Sequence, residues 1–361
     1  MIIHMKKGFT PEQEQVVLDR IKARGFDYHI IHGATGIDVI GVLGDLSSVE
    51  ESYFAEVSGV DKVVRISKSY KMVSREFSPR THVVKIGESA IGEEEPVIMA
   101  GPCSIESREQ LESISKYVHE LTIPILRGGA YKPRTSPYSF QGMGLEGLKM
   151  LAEIRDRYGV KIVTEATGLH RHVTEEGKIE DKNVLENVID YTDIIQVGTR
   201  NMKSYGFLQE LGLLTKAKKT PILLKRGDAS TLKDFLLAAE YIVSNGNPNV
   251  ILCLRGIRTF EDAKFQRATA DIGAIAVLKR ESNLPVIFDP SHSTGYRDSV
   301  YPMSMAAIAA GADGLIIETH NDPSNALCDG EQSVTKEQLS MILEGTRKIR
   351  KVLPRPDYSS K

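Results

Sequence analysis

Residues 221–256 read PILLKRGDASTLKDFLLAAEYIVSNGNPNVILCLRG, and they indicate the fold class by themselves. PILLK and VILCL are short apolar runs without alternating polarity, which is typical of strands buried on both faces. Between them lies an amphipathic helical stretch that ends in the turn sequence SNGNPN. A buried strand, a helix and a second buried strand in this order predict a right-handed βαβ crossover in a parallel sheet.

The same unit recurs on both sides of this stretch. Eight apolar runs alternate with amphipathic helical stretches, and they are PVIMAGPCS, PILRGGAY, KIVTEAT, DIIQVGT, PILLKRG, VILCLRG, PVIFDPSH and GLIIETH. Eight such units predict an α/β fold of the (β/α)8 TIM-barrel type, with an open doubly wound sheet as the alternative. A strand pair at HVVKIGESAIG, residues 82–92, is expected to precede the first barrel strand and to plug the barrel floor.

The N-terminal part of the chain follows a different order. Its apolar runs and helical stretches read βαββαβ, with the second helix over SSVEESYFAEVSG, residues 47–59. This order predicts a small ferredoxin-like sandwich, a unit that carries no chemistry by itself. The predicted organisation is a regulatory domain at 1–68, a linker at 69–82, a catalytic barrel at 83–352 and a C-terminal tail at 353–361.

Composition restricts the class of function. The 361 residues carry 46 basic and 48 acidic side chains, a net charge of -2 that gives no general attraction to nucleic acid or to an anionic membrane. The three cysteines form no CxxC pair, which argues against a disulfide framework and a zinc ribbon. The N-terminal residues lack a secretory pattern and the chain lacks a long apolar span. These features predict a cytoplasmic protein.

Cations close many of the apolar runs. Because TIM-barrel active sites lie at the C-terminal ends of the strands, these residues are the first candidates for function. The cations at or just after these ends are Arg127, Lys132, Arg134, Arg200, Lys225, Arg226 and Arg255. Seven cations on one rim would repel one another unless anions neutralised them. The pattern therefore predicts ligands that carry phosphate or carboxylate groups.

Metal-ligand residue types close the first, seventh and eighth runs. Cys103, His292 and Glu318 lie at these ends, and Asp329 follows in the loop after the eighth run. These three strands are neighbours in a closed barrel, so the four side chains are expected to meet at one corner. A thiolate, an imidazole and two carboxylates suit a borderline divalent ion rather than Ca²⁺ or Mg²⁺. Mn²⁺ is the expected ion, with Fe²⁺, Co²⁺ and Zn²⁺ as alternatives.

The chain from residue 83 to 352 resembles the 3-deoxy-D-arabino-heptulosonate 7-phosphate (DAHP) synthases of the shikimate pathway. The subgroup that it resembles is the class I beta-type, whose members have an N-terminal ferredoxin-like extension. The motifs that carry the resemblance are AGPCS, LRGGAYKPRTSPYSFQG, TEAT, QVGTRN, LLKRG, LRG, DPSHSTG, IIETH and CDGEQS. GPCS and KPRTS together are quite specific.

The resemblance implies a condensation of phosphoenolpyruvate with erythrose 4-phosphate that releases phosphate. It implies that the metal ligands are Cys103, His292, Glu318 and Asp329, and that Lys132, Glu165 and His292 act in catalysis. It further implies that phosphoenolpyruvate is held by Arg127, Lys132, Arg200, Lys225 and Arg255, and the aldose phosphate by Arg134 and Thr135. The sequence leaves open whether the ion polarises the aldehyde or activates the water.

One residue departs from the family pattern. Cys328 stands beside Asp329, where a small residue such as Ser is expected, and its role is left open. Its thiol puts in doubt whether the metal corner is insensitive to oxidation.

Two other functions compete with the synthase. The 3-deoxy-D-manno-octulosonate 8-phosphate synthases share the barrel but use arabinose 5-phosphate, and they typically have a Lys-Ala-Asn-Arg sequence where this chain has KPRTS. A non-catalytic ligand-sensing barrel is the alternative from another class. The N-terminal domain leads us to expect feedback inhibition by tyrosine or phenylalanine, and a homo-oligomer, either a dimer or a tetramer, is also expected.

Overall fold

The computed structural model describes residues 1–32, 38–44, 46, 48–65, 68–134, 136, 138–174, 176–261, 264–356 and 358. These residues form two compact units, Met1–Arg80 and Thr81–Lys361. Thr135, one of the predicted substrate-binding residues, lies outside the described residues. Within the described part of the chain, every helix is too short or too polar to span a lipid bilayer.

The first unit is built on a four-stranded antiparallel sheet in the order β2-β3-β1-β4. Its elements are β1 Ile2–Met5, α1 Pro11–Ala23, β2 Asp27–His32, β3 Asp38–Leu43, α2 Ser52–Ala55 and β4 Val60–Val64. Thr10 starts α1 with a capping box to Gln13, and Pro11 occupies the first turn. The predicted ferredoxin-like βαββαβ order is confirmed.

The second helix of this unit is shorter than predicted. Of the described residues in the span 47–59, four form an α-helix, and the flanking Val49 and Val57 are buried in the core of the unit. The residue that precedes the helix, Glu51, makes no side-chain capping hydrogen bond. The helix Ser52–Ala55 therefore lacks the side-chain cap that stabilises the start of α1.

The second unit contains a closed parallel barrel of eight strands. They are β7 Val97–Gly101, β8 Ile125–Arg127, β9 Lys161–Ala166, β12 Ile194–Val197, β13 Ile222–Lys225, β14 Val250–Leu254, β17 Val286–Phe288 and β18 Gly314–Glu318. The eighth strand pairs with the first, from Gly314 opposite Val97 to Glu318 opposite Gly101. Each of the eight apolar runs supplies one strand, so the TIM barrel is confirmed and the open sheet was the wrong alternative.

Helices surround the barrel. They are α3 Arg108–Glu120, α4 Gly144–Tyr158, α5 Val184–Tyr191, α6 Tyr205–Thr215, α7 Leu232–Ser244, α8 Gly273–Glu281, α9 Ser291–Thr294, α10 Arg297–Ala309 and α11 Lys336–Val352. Capping boxes at Asn183, Thr231 and Thr335 begin α5, α7 and α11. The short α9 differs from the others because it follows β17 directly and carries His292.

Within the described ranges of this unit, three hairpins supplement the barrel. The first, β5 Val84–Ile86 with β6 Ser89–Ile91, packs its apolar side chains against the inward-facing residues of the barrel strands. It therefore fills one end of the barrel, as the sequence predicts. The other two, β10 Arg171–Val173 with β11 Ile179–Asn183 and β15 Gly256–Ile257 with β16 Thr269–Ala270, follow the C-terminal ends of barrel strands.

Candidate active site

Three adjacent strands bring the predicted metal ligands to one corner of the barrel mouth. Glu318 ends β18, Cys103 lies two residues beyond β7, and His292 lies in the helix that follows β17. Because the sheet order is β17-β18-β7, these strand ends are neighbours. Asp329 reaches the same corner from the loop after β18, with a left-handed backbone at φ 53° that aspartate tolerates better than most residues.

The distances at this corner are short. The Cys103 thiol donates to Asp329 Oδ2 at 3.1 Å, and His292 Nε2 lies 3.4 Å from Glu318 Oε1 and 3.9 Å from Asp329 Oδ2. Donor atoms bound to one ion at about 2.0 to 2.3 Å lie roughly 3 to 4.5 Å apart, so these separations fit a shared divalent cation. The ligand atoms fall into two overlapping groups, one with Cys103 and Cys328 and one with His292 and Glu318, and Asp329 belongs to both.

Cys328 also belongs to this corner. Its Sγ lies 2.8 Å from Cys103 Sγ and 3.5 Å from Asp329 Oδ2, and both thiols are buried. The hydrogen bond with Cys328, burial and the nearby Glu318 raise the pKa of the Cys103 thiol well above its ordinary value. The sequence places Cys328 beside a predicted ligand, whereas its contact with Cys103 depends on how the loop folds back.

An aspartate fixes the imidazole of His292. Asp289 Oδ2 accepts a hydrogen bond from His292 Nδ1 at 2.8 Å and from Lys225 Nζ at 2.5 Å. Burial alone would raise the pKa of Asp289, but His292 and Lys225 hold it well below its usual range. The charged Asp289 therefore leaves His292 Nε2 turned toward Glu318 and Asp329, as a metal ligand requires.

Three of the seven cations on the rim form ion pairs with carboxylates of the protein. Arg127 pairs with Glu318 at 2.5 Å, Lys225 with Asp289, and Arg226 with Asp271 at 2.6 Å. The repulsion expected among the seven cations is therefore partly balanced by carboxylates of the protein, which the sequence argument did not include. Arg200, which stands between β12 and α6 in a 3-10 turn, is exposed.

Arg255 presents a different environment. It donates to Thr199 Oγ1 at 3.0 Å and to the His292 carbonyl at 3.4 Å, and both acceptors are neutral. Its Nε is buried and has no hydrogen-bond partner within the described ranges. Burial lowers the pKa of this guanidinium, and the negative charges of Asp289 and Asp228 offset only part of the shift. A half-buried arginine with a buried, unused donor is the arrangement expected where an anionic ligand binds.

Lys132 and Glu165 face the same space. Lys132 Nζ donates to the Cys103 carbonyl at 3.0 Å and to Cys103 Sγ at 3.1 Å. This approach depends on Gly129, where a Cβ would lie 2.8 Å from the lysine chain and 2.5 Å from the Cys103 carbonyl. Glu165 accepts from Gln196 Nε2 at 3.0 Å, and a Cβ at Gly198 would lie 1.9 Å from its Oε1. Two glycines therefore allow these side chains to reach the site.

The chain matches known families over almost its full length. Residues 70–353 match the DAHP synthetase I family, and residues 1–68 match the DAHP synthase ferredoxin-like domain. The chain belongs to the DAHP synthetase I family. Its members are enzymes, and the two-part organisation of this member is the one expected from the resemblance.

Relatives and solved structures agree with this membership. The chain is 45% identical over 349 residues to the phospho-2-dehydro-3-deoxyheptonate aldolase of Thermotoga maritima, with 97% of each chain covered. The crystal structure of that DAHP synthase is similar with a TM-score of 0.73, covering 98% of this chain and 97% of that one. A 2-dehydro-3-deoxyphosphooctonate aldolase of Syntrophobacter fumaroxidans is 30% identical over 71% of this chain and 88% of that protein.

Arg134 makes its hydrogen bond outside the metal corner. Its Nε donates to the Phe140 carbonyl at 3.0 Å, within the segment that joins β8 to α4. The same segment is anchored by Tyr131, whose hydroxyl donates to Glu180 on β11 at 2.8 Å. The sequence patterns did not predict the hairpin of β10 and β11. They also did not predict that His172 on β10 is half-buried against the Tyr131 ring.

Proposed function

We propose that the chain condenses phosphoenolpyruvate with D-erythrose 4-phosphate to give DAHP and phosphate, the first step of aromatic amino acid biosynthesis. The observation that carries this proposal is the meeting of two features at one barrel mouth. Cys, His, Glu and Asp donors in two overlapping groups lie beside the buried cations Arg127 and Lys225. They also lie beside the half-buried Arg255, which has a buried donor without a partner among the described residues. Family membership supports the same reaction.

The cations are proposed to hold phosphoenolpyruvate. Arg127, Lys132, Arg200, Lys225 and Arg255 would bind its phosphate and carboxylate, with Glu165 near the reacting carbons. Arg127 uses one guanidinium nitrogen on Glu318, and an arginine has five N–H donors, so it can bind a substrate oxygen as well. Arg134 and Thr135 are proposed to bind the phosphate of the aldose.

Cys103, His292, Glu318 and Asp329 are proposed to hold a divalent ion, Mn²⁺ first, with Fe²⁺, Co²⁺ or Zn²⁺ as alternatives. The mixed donor set supports this, and so do the separations of 3.1 Å between Cys103 and Asp329 and of 3.4 and 3.9 Å from His292 to Glu318 and Asp329. When bound, the ion would supply positive charge for the aldehyde oxygen or for the water. The outer ring nitrogen of His292 is held by Asp289, which keeps Nε2 available.

The protein side chains would then stabilise the charges that develop during the reaction. C3 of phosphoenolpyruvate attacks the aldehyde carbon, water adds at C2, and phosphate leaves with cleavage of the C–O bond. The cations hold two polyanions close together and stabilise negative charge on the leaving phosphate. Lys132, which is half-buried, is proposed to donate a proton to the new hydroxyl.

The experiment that tests this function supplies each sugar separately. Metal-reconstituted protein is incubated with phosphoenolpyruvate and either erythrose 4-phosphate or arabinose 5-phosphate, while the loss of enolpyruvate absorbance is followed. We expect consumption with the four-carbon sugar and its loss when a chelator is added. Consumption with the five-carbon sugar alone would assign the chain to the octulosonate 8-phosphate synthases, to which its 30% identical relative belongs by name. No consumption with either sugar would favour a sensing role.

The N-terminal unit is proposed to mediate feedback inhibition by tyrosine or phenylalanine. Support comes from its separate compact fold and its match to the DAHP synthase ferredoxin-like domain. We expect either amino acid at millimolar concentration to slow the full chain and to leave a variant without residues 1–68 unaffected. A truncated form of the Thermotoga maritima enzyme has a solved structure, which supports the use of such a variant. An unchanged rate in the full chain, or inhibition that persists after truncation, would contradict this proposal.

The assembly is proposed to be a homo-oligomer, a dimer or a tetramer. Sedimentation of the full chain measures this directly.

A further inference from the structure

Glu318 and Asp329, the two carboxylates of the proposed metal site, each have one oxygen that contacts a side chain outside the site. In Glu318, Oε2 accepts a hydrogen bond from Gln332 Nε2 at 2.8 Å, whereas Oε1 lies 3.4 Å from His292 Nε2 and also accepts from Arg127 Nη1. In Asp329, Oδ1 lies 3.3 Å from Arg267 Nη1, whereas Oδ2 accepts from the Cys103 thiol. Each carboxylate thus turns one oxygen toward the shared ligand space and the other away from it.

The two outer donors are themselves connected. Arg267 Nη1 donates to Gln332 Oε1 at 2.9 Å, so one nitrogen contacts both Gln332 and Asp329. The orientation of the Gln332 amide follows from chemistry, because an arginine can only donate and a carboxylate can only accept. Its oxygen must face Arg267 and its nitrogen must face Glu318. Neither a glutamate nor an aliphatic residue could make both contacts.

The backbone of Arg267 is hydrogen-bonded to the helix that carries His292. The amide N–H of Arg267 donates to the carbonyl of Thr294, the last residue of α9, at 2.8 Å. Gly295, with φ 89°, allows the close approach, since a Cβ there would lie 2.7 Å from Arg267 Cβ. Arg267 is therefore fixed to the element that bears one ligand while it contacts another, and Gln332 is almost fully buried at 1% exposure.

We propose that Gln332 and Arg267 are positioning residues that make Glu318 and Asp329 one-oxygen ligands. By occupying Glu318 Oε2 and Asp329 Oδ1, they leave a single oxygen of each carboxylate for the ion and fix its direction. This leaves room in the coordination sphere for a substrate oxygen or water. The inference rests on the proposed function, because it requires that these carboxylates bind a divalent ion.

A Gln332→Leu variant tests this inference. Loss of such an outer partner typically weakens metal binding by about 10- to 100-fold. We expect a decrease of that size in the affinity for Mn²⁺, measured by competition with a chelator of known affinity. We also expect the visible absorption of the Co²⁺-loaded variant to differ from that of the wild type, because a released Glu318 can bind with both oxygens. A purely structural role would lower thermal stability and leave the Co²⁺ spectrum unchanged.

The chain offers a matched control and a second variant. Gln266→Leu makes the same change in the segment that carries Arg267. Gln266 contacts Thr269 Oγ1 at 3.2 Å. This variant is expected to leave metal affinity unaltered. If Gln332→Leu does not fold, Arg267→Met replaces it, because that side chain is more than half exposed. Wild-type protein that binds no Mn²⁺ would overturn the proposed metal site itself. Wild-type binding with unchanged affinity and spectrum in both variants would overturn only the positioning role.

Discussion

Cys103→Ala is expected to weaken the affinity for the divalent ion by more than about 100-fold, a larger loss than that of an outer partner. The thiol of Cys103 lies 3.1 Å from Asp329 Oδ2, and it is the soft donor of the predicted ligand set. Its loss leaves an imidazole and two carboxylates, a set that binds borderline ions more weakly. Turnover at micromolar metal should fall below detection, and millimolar Mn²⁺ should restore part of it. Chelator competition and steady-state assays across metal concentrations measure both effects.

Cys328→Ala is the matched control for this prediction. The same atom is removed only 2.8 Å away, from a residue that is not proposed as a ligand. Metal affinity and turnover should stay near the wild-type values. The opposite pattern, with Cys103→Ala active and Cys328→Ala inactive, would transfer the thiolate role to Cys328, which also lies near Asp329.

The barrel could be predicted because its strands are buried on both faces. A parallel strand in this position must be apolar throughout, so runs such as VILCL at 250–254 stand out from the sequence around them. The neighbourhood of Cys103, His292 and Glu318 then follows from closure, since the eighth strand must pair with the first. The predicted strand order is therefore the basis for predicting that these residues meet at one corner.

The remaining features depend on tertiary contacts that leave no periodic signal. The approach of Cys328 to Cys103 and the chain from Arg267 through Gln332 to Glu318 join loops far apart in sequence. The pairing of Arg127 with Glu318 is of the same kind, and it changes the charge balance of the rim. Sequence patterns report burial along one element, whereas these contacts are set by how loops fold back on the barrel mouth.

Lys132→Met is expected to reduce turnover by about 100- to 10,000-fold, the usual contribution of a positioned proton donor. Burial alone would lower the pKa of Lys132, but Cys103, Cys328 and Glu165 raise it above its ordinary value. The ammonium therefore keeps its protons at neutral pH and can donate one when an alkoxide forms. Methionine keeps most of the volume of the side chain and removes both the charge and the protons.

Binding of phosphoenolpyruvate should remain measurable in the same variant, because four other cations are proposed to hold its anionic groups. Calorimetric titration with phosphoenolpyruvate measures this, and metal content is checked in parallel because Lys132 contacts Cys103 Sγ. Lys203→Met, a change at an exposed lysine that pairs with Asp234, is the control and should retain full turnover. Retained turnover in Lys132→Met would remove the residue from the mechanism. Loss of phosphoenolpyruvate binding at normal metal content would instead restrict Lys132 to its proposed role in substrate binding, because a proton donor acts after the substrate has bound.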